Sequence, residues 1–99
     1  MMFVTANPGS IAAASAGAQA IGSEIAAGNA AAAEPTSGVL PPGLDEVSAL
    51  AAVFFNTHAM MYQAFGAMHT AFHEMFAATL GVSSGSYAAT EVANAIAAT

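Results

Sequence analysis

The chain has 99 residues, of which 57% are hydrophobic and 6% are charged, with six Asp and Glu but no Lys, Arg or Cys. So apolar a chain must bury surface, which excludes intrinsic disorder. A net charge of −6 without a cation excludes binding to nucleic-acid phosphates and to anionic lipid headgroups. Without cysteine there are no disulfides or thiolate sites, so the stability of this one small domain must come from packing.

The first predicted element is a helix over residues 8–33. The Asn7 side chain can cap its first turn, and Pro8 suits the first helical position because its missing N–H needs no partner there. Pro35 disfavours helical geometry in the residue before it, which is expected to end the helix. The loop that follows contains three prolines and is short enough to turn the chain back.

A second helix is predicted over residues 44–80. Asp45 and Glu46 fall in its first turn, where carboxylates favour the positive end of the helix dipole. Gly81 is expected to close the helix in a left-handed conformation. The predicted fold class is therefore all-α, an antiparallel two-helix hairpin over residues 1–83, followed by a C-terminal tail over residues 84–99.

Helix two carries a heptad seam and, beside it, a flanking row at sevenfold spacing. We call these residues together the apolar face and predict that they bind a partner. They are Val47, Ala51, Phe54, Phe55, His58, Met61, Tyr62, Phe65, Met68, His69, Phe72, Met75 and Phe76.

Helix one has a thinner seam of its own, Ile11, Ala14, Ala18, Ile21, Ile25, Gly28 and Ala32. One such helix cannot cover both rows of helix two. Each aromatic or Met side chain left exposed to water loses about 1.5 to 3 kcal/mol of the free energy that its burial would contribute. We therefore expect an obligate subunit whose hairpin completes a four-helix bundle with a partner protein.

Targeting and membrane signals are weak. The segment 1–23 has no cationic region and is interrupted by Pro8 and Gly9, unlike a secretory signal peptide. The uncharged run 47–73 is long enough to cross a bilayer, but no Lys or Arg flanks it. Its polar side chains include Ser48, Asn56, Thr57, His58, Gln63, His69 and Thr70. Neither a Sec signal nor a transmembrane span is predicted.

No catalytic, metal or cofactor site is predicted. His69 and His73 stand four apart beside Glu74, but this order does not match the zincin pattern. We expect His58 to lie in the seam, His69 to pack at an interface and His73 to face solvent. The carboxylates are scattered, and the chain contains neither a nucleophile elbow nor a phosphate loop. The chain is predicted not to be an enzyme.

The chain resembles the mycobacterial PE family along essentially its whole length. The similarity is carried by short matches in the family's order, and Gly9 departs from it because the family usually has glutamate after this proline. The matching segments are Phe3-Val4, Asn7-Pro8, Ile21-Gly22, Asn29–Ala33, Pro35-Thr36, Asp45–Leu50, His58-Ala59, Met61–Ala64, His73-Glu74 with Phe76, and Ser86–Glu91.

The resemblance implies a member consisting of the PE domain alone, paired with a PPE-family protein and exported folded through a type VII (ESX) secretion system. It also implies that Tyr87 and Glu91 form the family's secretion signal, which would be presented by the tail. A cytosolic EspG-like chaperone would act indirectly, through the PPE partner. The expected location is the cell surface, the envelope or the medium, after a transient stay in the cytoplasm.

A second interpretation places the same apolar face in a lipid layer of the outer envelope. There the chain, alone or with its partner, would contribute to permeability or nutrient transport. Liposome co-flotation of the purified pair distinguishes the two interpretations.

Overall fold

The computed structural model describes residues 4–99. Residues 1–3, including Phe3 of the family resemblance, lie outside the described residues. Two helices follow one another, α1 (Pro8–Ser37) and α2 (Glu46–Ala97). They pack against each other as an antiparallel hairpin, which confirms the predicted fold class.

The start of α1 is confirmed at Pro8. The side-chain oxygen of Asn7 accepts a hydrogen bond from the Ser10 backbone N–H at 3.0 Å, which satisfies one of the free donors of the first turn.

The predicted end of α1 near residue 33 is wrong, because the helix runs through Pro35 to Ser37. A proline in the last turn removes one helical N–H. Two hydroxyl groups supply donors to neighbouring carbonyl oxygens, from Thr36 to Ala32 and from Ser37 to Ala33, both at 2.6 Å. The backbone N–H of Gly38 then bonds to the Glu34 carbonyl at 3.0 Å.

Asp45 caps the start of α2 rather than lying inside its first turn. Its carboxylate accepts hydrogen bonds from the Ser48 backbone N–H at 2.6 Å and from the Ser48 hydroxyl at 3.1 Å. In the preceding loop, the Asn56 side chain holds Val39 at two points. It accepts from the Val39 N–H at 2.7 Å and donates to the Val39 carbonyl at 3.1 Å.

The predicted end of α2 near residue 80 is also wrong, since the helix continues to Ala97. Among the described residues no glycine has a positive φ, so Gly81 does not close the helix. The Ser86 hydroxyl donates to the Val82 carbonyl within α2 at 3.1 Å. The assignment of 1–83 and 84–99 to different functions stays a prediction.

The described chain divides into two compact units, each containing a part of both helices. The loop unit is Gly22–Ala71. The terminal unit combines the described residues up to Ile21 with Phe72–Thr99. Within each unit the helices meet through small and polar side chains.

In the loop unit, Ala52 and Ala59 are buried against α1. The Gln63 side chain donates to the Asn29 carbonyl at 2.9 Å, and the Tyr62 hydroxyl donates to the Asn29 side-chain oxygen at 2.8 Å. A Cβ on Gly66 would lie 3.2 Å from the Asn29 side-chain nitrogen, so glycine permits this close approach of the helices.

In the terminal unit, hydroxyl groups bond across to backbone carbonyls. The Ser15 hydroxyl donates to Ala77 and the Ser84 hydroxyl donates to Pro8, both at 2.7 Å. His73 Nε2 lies 2.5 Å from the Ala18 carbonyl oxygen. A carbonyl only accepts, so Nε2 carries the hydrogen.

Most of the side-chain hydrogen bonds that α2 makes to α1 and the loop come from one row of α2, which the sequence pattern does not reveal. Its residues alternate spacings of four and three and are all buried or half-buried. They are Ala52, Asn56, Ala59, Gln63, Gly66 and Thr70 in the loop unit, and His73, Ala77, Leu80 and Ser84 in the terminal unit. We call this row the inner row.

The facing positions of α1 also differ from the prediction. Ile11, Ala18 and Ala32 are half-buried as expected. Ser15, Gly22 and Asn29 replace the other predicted positions at the contact, while Ala14, Ile21, Ile25 and Gly28 are exposed. The helices thus approach through small side chains instead of burying isoleucines.

Candidate functional site

Large apolar side chains of α2 remain exposed in the loop unit. Phe54 is 66% exposed, Phe65 is 63% exposed and Met61 is 55% exposed. Val47, Phe55, Tyr62 and Met68 are exposed as well, and only Ala51 of the predicted face in this unit is half-buried. Exposed apolar surface of this kind is typical of interaction sites.

The terminal unit shows the same pattern. Phe72, Met75 and Phe76 are each more than half exposed, and His69 is exposed at the neighbouring end of the loop unit. The buried apolar residues of the described chain are Ala52, Ala59 and Ala77. The fold therefore buries alanines and leaves its Phe and Met side chains exposed to solvent.

The geometry of α2 explains this division. Phe54 and Met61 stand two residues after Ala52 and Ala59, respectively, which places them about 160° away around the helix. The predicted seam is consequently on the side of α2 that faces away from α1 within each unit. Its residues were predicted to pack, and within this chain α1 does not cover them.

A groove of about 390 Å³ lies beside this face in the loop unit. Both helices and the loop contribute to it, and its lining is mostly apolar. The lining residues are Ala32, Pro35, Thr36, Val39, Phe55, His58, Ala59 and Tyr62. Phe55, His58 and Tyr62 thus belong both to the predicted face and to the groove.

Hydrogen bonds fix the walls of the groove. The Tyr62 hydroxyl is held by Asn29, and the loop wall at Val39 is held by the two bonds from Asn56. Asn29 of α1 and Asn56 of the inner row therefore position groove residues, a role that the sequence pattern did not reveal. The alternating spacing of the inner row was the available signal, but its small and polar composition does not resemble a core.

The three histidines do not share one role. His58 and His69 are exposed on the apolar face, and whether they pack at an interface stays a prediction. The expectation that His73 faces solvent is wrong, because it bonds to Ala18 and its ring lies 6.4 Å from that of Phe76. Among residues 4–99, no group of three or more His, Asp and Glu side chains is arranged to hold a metal ion.

Tyr87 and Glu91 lie on the C-terminal part of α2, beyond the contact of Ser84 with Pro8. Both are exposed, with Tyr87 49% exposed. Being four apart on a helix, they share one side of it. The structure thus meets the geometric condition for a composite recognition motif.

Within the described residues, neither helix combines the length and the apolar character needed to cross a membrane.

Comparison with known proteins matches residues 4–94 to the PE family. PE13, a PE family protein of Mycobacterium tuberculosis, is 57% identical over 98 residues, which cover 99% of both chains. PE8 of the same species is 46% identical over 99% of this chain but only 36% of its own length. The PE-PGRS family protein PE_PGRS36 is 50% identical over 96% of this chain and 19% of its own length.

Proposed function

The chain belongs to the PE family, and from this premise we propose that it is a non-enzymatic subunit that pairs with a PPE-family protein and leaves the cell through a type VII secretion system. The exposed apolar face of α2 carries the proposal. Covering it would remove several Phe and Met side chains from water, each worth about 1.5 to 3 kcal/mol.

The spacing of the exposed apolar side chains supports a helical partner. The apolar face has heptad spacing, which is the pattern that receives a neighbouring helix in a bundle. Two helices of a PPE protein would complete a four-helix bundle with α1 and α2. The predicted partner-binding residues are all on α2, which leaves α1 as the support that fixes this helix.

Export would use a different part of α2. Tyr87 and Glu91 are exposed beyond the region that contacts α1, so a secretion component can reach them while the apolar face is covered. The chaperone would bind the PPE partner and meet this chain only indirectly. The pair would then act at the cell surface, in the envelope or in the medium.

The test is co-expression of the full chain with PPE proteins, one at a time. We expect one of them to form a soluble 1:1 complex that survives size-exclusion chromatography. The same pair should appear in culture filtrate and disappear when the type VII secretion system is inactivated. A chain that stays unpaired with all PPE proteins would refute the proposal.

The exposed apolar face also favours a second candidate, association with a lipid layer of the envelope. In that case the purified pair should float with liposomes made of neutral lipids. If the pair stays at the bottom of the gradient, the apolar face binds protein partners and not lipid.

A further inference from the structure

The groove and the capping carboxylate lie along the same side of α2 in the loop unit. Ser48, Phe55 and Tyr62 repeat at sevenfold spacing, and the last two line the groove. The Asp45 carboxylate is fixed against Ser48 by two hydrogen bonds. Ser48 and Phe55 are about 10 Å apart along the helix axis, so a fixed carboxylate lies about two turns from the groove.

The chain cannot neutralise this carboxylate itself, because it contains no Lys or Arg. The hydrogen bonds from Ser48 hold the pKa of Asp45 below its ordinary value, so the group is charged near neutral pH. A second copy of the chain would bring the same deficit of cations. Charge complementarity therefore favours a partner that carries a cation over a second copy of this chain.

We infer that the partner presents, on a single helix, an apolar side chain that fills the groove and a Lys or Arg that pairs with Asp45 about one heptad away. The apolar lining of the groove selects the apolar side chain, and the Asp45 carboxylate selects the Lys or Arg. A helix docked along α2 places residues one heptad apart on the same side, so both contacts fit one helix. The inference rests on the proposed pairing and specifies the chemistry of the partner.

The charge is tested in the pair formed with the co-expressed PPE protein. Asp45→Asn removes the charge but keeps a good helix cap. Glu46→Gln is the matched control, since Glu46 is two residues before Ser48 and so about 160° away around α2. We expect Asp45→Asn to raise the dissociation rate about two- to fivefold, Glu46→Gln to leave it unchanged, and 0.5 M salt to remove the difference.

The groove is tested at Thr36, an exposed residue of its lining. Thr36→Phe would occupy the space meant for the partner and should weaken pairing about tenfold or more. Ala31→Phe is the matched control, because it adds the same bulk at an exposed residue of α1 that does not line the groove, and it should not change pairing. Circular dichroism of each pair checks that the helices remain intact.

The outcomes separate the two proposals. A wild-type chain that pairs with no PPE protein overturns both. A stable pair in which Asp45→Asn and Glu46→Gln dissociate equally fast, or in which Thr36→Phe binds like Ala31→Phe, overturns only the assignment of the partner's chemistry.

Discussion

The Asp45 carboxylate makes the start of α2 sensitive to pH. Two hydrogen bonds from Ser48 favour its charged form and lower its pKa in the folded chain from the ordinary value of 3.8. A lowered pKa means that the carboxylate contributes stability above about pH 3.8, and that this contribution is lost as pH falls through the folded-state pKa.

We expect the difference in thermal stability between wild type and Asp45→Asn to be largest near pH 6 and to shrink as pH falls below about 4. The asparagine keeps the cap but does not titrate. Thermal melts of the pair followed by circular dichroism would measure this. Parallel pH profiles of the two proteins would contradict a role for the charge.

Gly9 leaves the first turn of α1 without a carboxylate. Gly9→Glu should stabilise α1 by about 0.3 to 1 kcal/mol relative to Gly9→Ala, because a negative charge favours the positive end of the helix dipole. The alanine variant separates this effect from the higher helix propensity of any residue other than glycine. Equal melting temperatures for the Glu and Ala variants would remove the dipole argument.

At the scale of elements, α2 has two sides with different tasks. The inner row contacts α1 through small residues and side-chain hydrogen bonds to backbone carbonyls. The seam of the apolar face, about half a turn away, presents Phe and Met, while its flanking row, with Phe55 and Tyr62, lies about 60° from the inner row. The spacing of large side chains predicts the apolar face and its role in binding a partner. The inner row cannot be recognised from that pattern.

Phe65→Asp should abolish pairing with the PPE protein. Phe65 is 63% exposed in this chain, so the substitution is compatible with the hairpin but would put an unpaired charge into a desolvated interface. Co-purification of tagged pairs measures the loss, with Ala31→Asp as the control, since Ala31 is exposed outside both the apolar face and the groove and its substitution is expected to have no effect. Undiminished co-purification of Phe65→Asp would count against the assigned face.

Tyr87→Ala and Glu91→Ala should block export and leave pairing intact, because both residues lie outside the apolar face. An alanine inserted between them should act like the point mutants, since it rotates Glu91 by about 100° relative to Tyr87. The pair is measured both in cell lysate and in culture filtrate. Normal filtrate levels of both point mutants would make these residues an ordinary exposed helix end.

For the whole molecule, stability is limited because the buried apolar residues of the described chain are three alanines. Small chains are marginally stable even with a full core, and this chain leaves most of its large apolar side chains exposed. We expect the isolated chain to aggregate or to be partly unfolded, and the PPE pair to melt cooperatively. Light scattering and thermal melts test this, and a monodisperse, cooperatively melting monomer would contradict it.

The sequence by itself determined the class of the fold, the start of α1 at Asn7 and Pro8, and the surplus of apolar surface on α2. These features follow from local propensity, capping and the spacing of large side chains. The comparisons confirmed the family that the ordered short matches had indicated. The PPE partner, the secretion route and the signal residues remain proposals.

Only the tertiary structure decided where the helices end and which row of α2 meets α1. Pro35 is tolerated in the last turn of α1, where it removes one helical N–H, and Gly81 keeps a negative φ inside the continuous α2, which no single-residue rule reveals. Apart from Leu80, the inner row is formed by Ala, Gly, Ser, Thr, Asn, Gln and His, which allow close backbone approach and specific hydrogen bonds. A hydrophobic pattern states that a face needs covering, but the geometry of contact decides whether the chain's own helix can cover it.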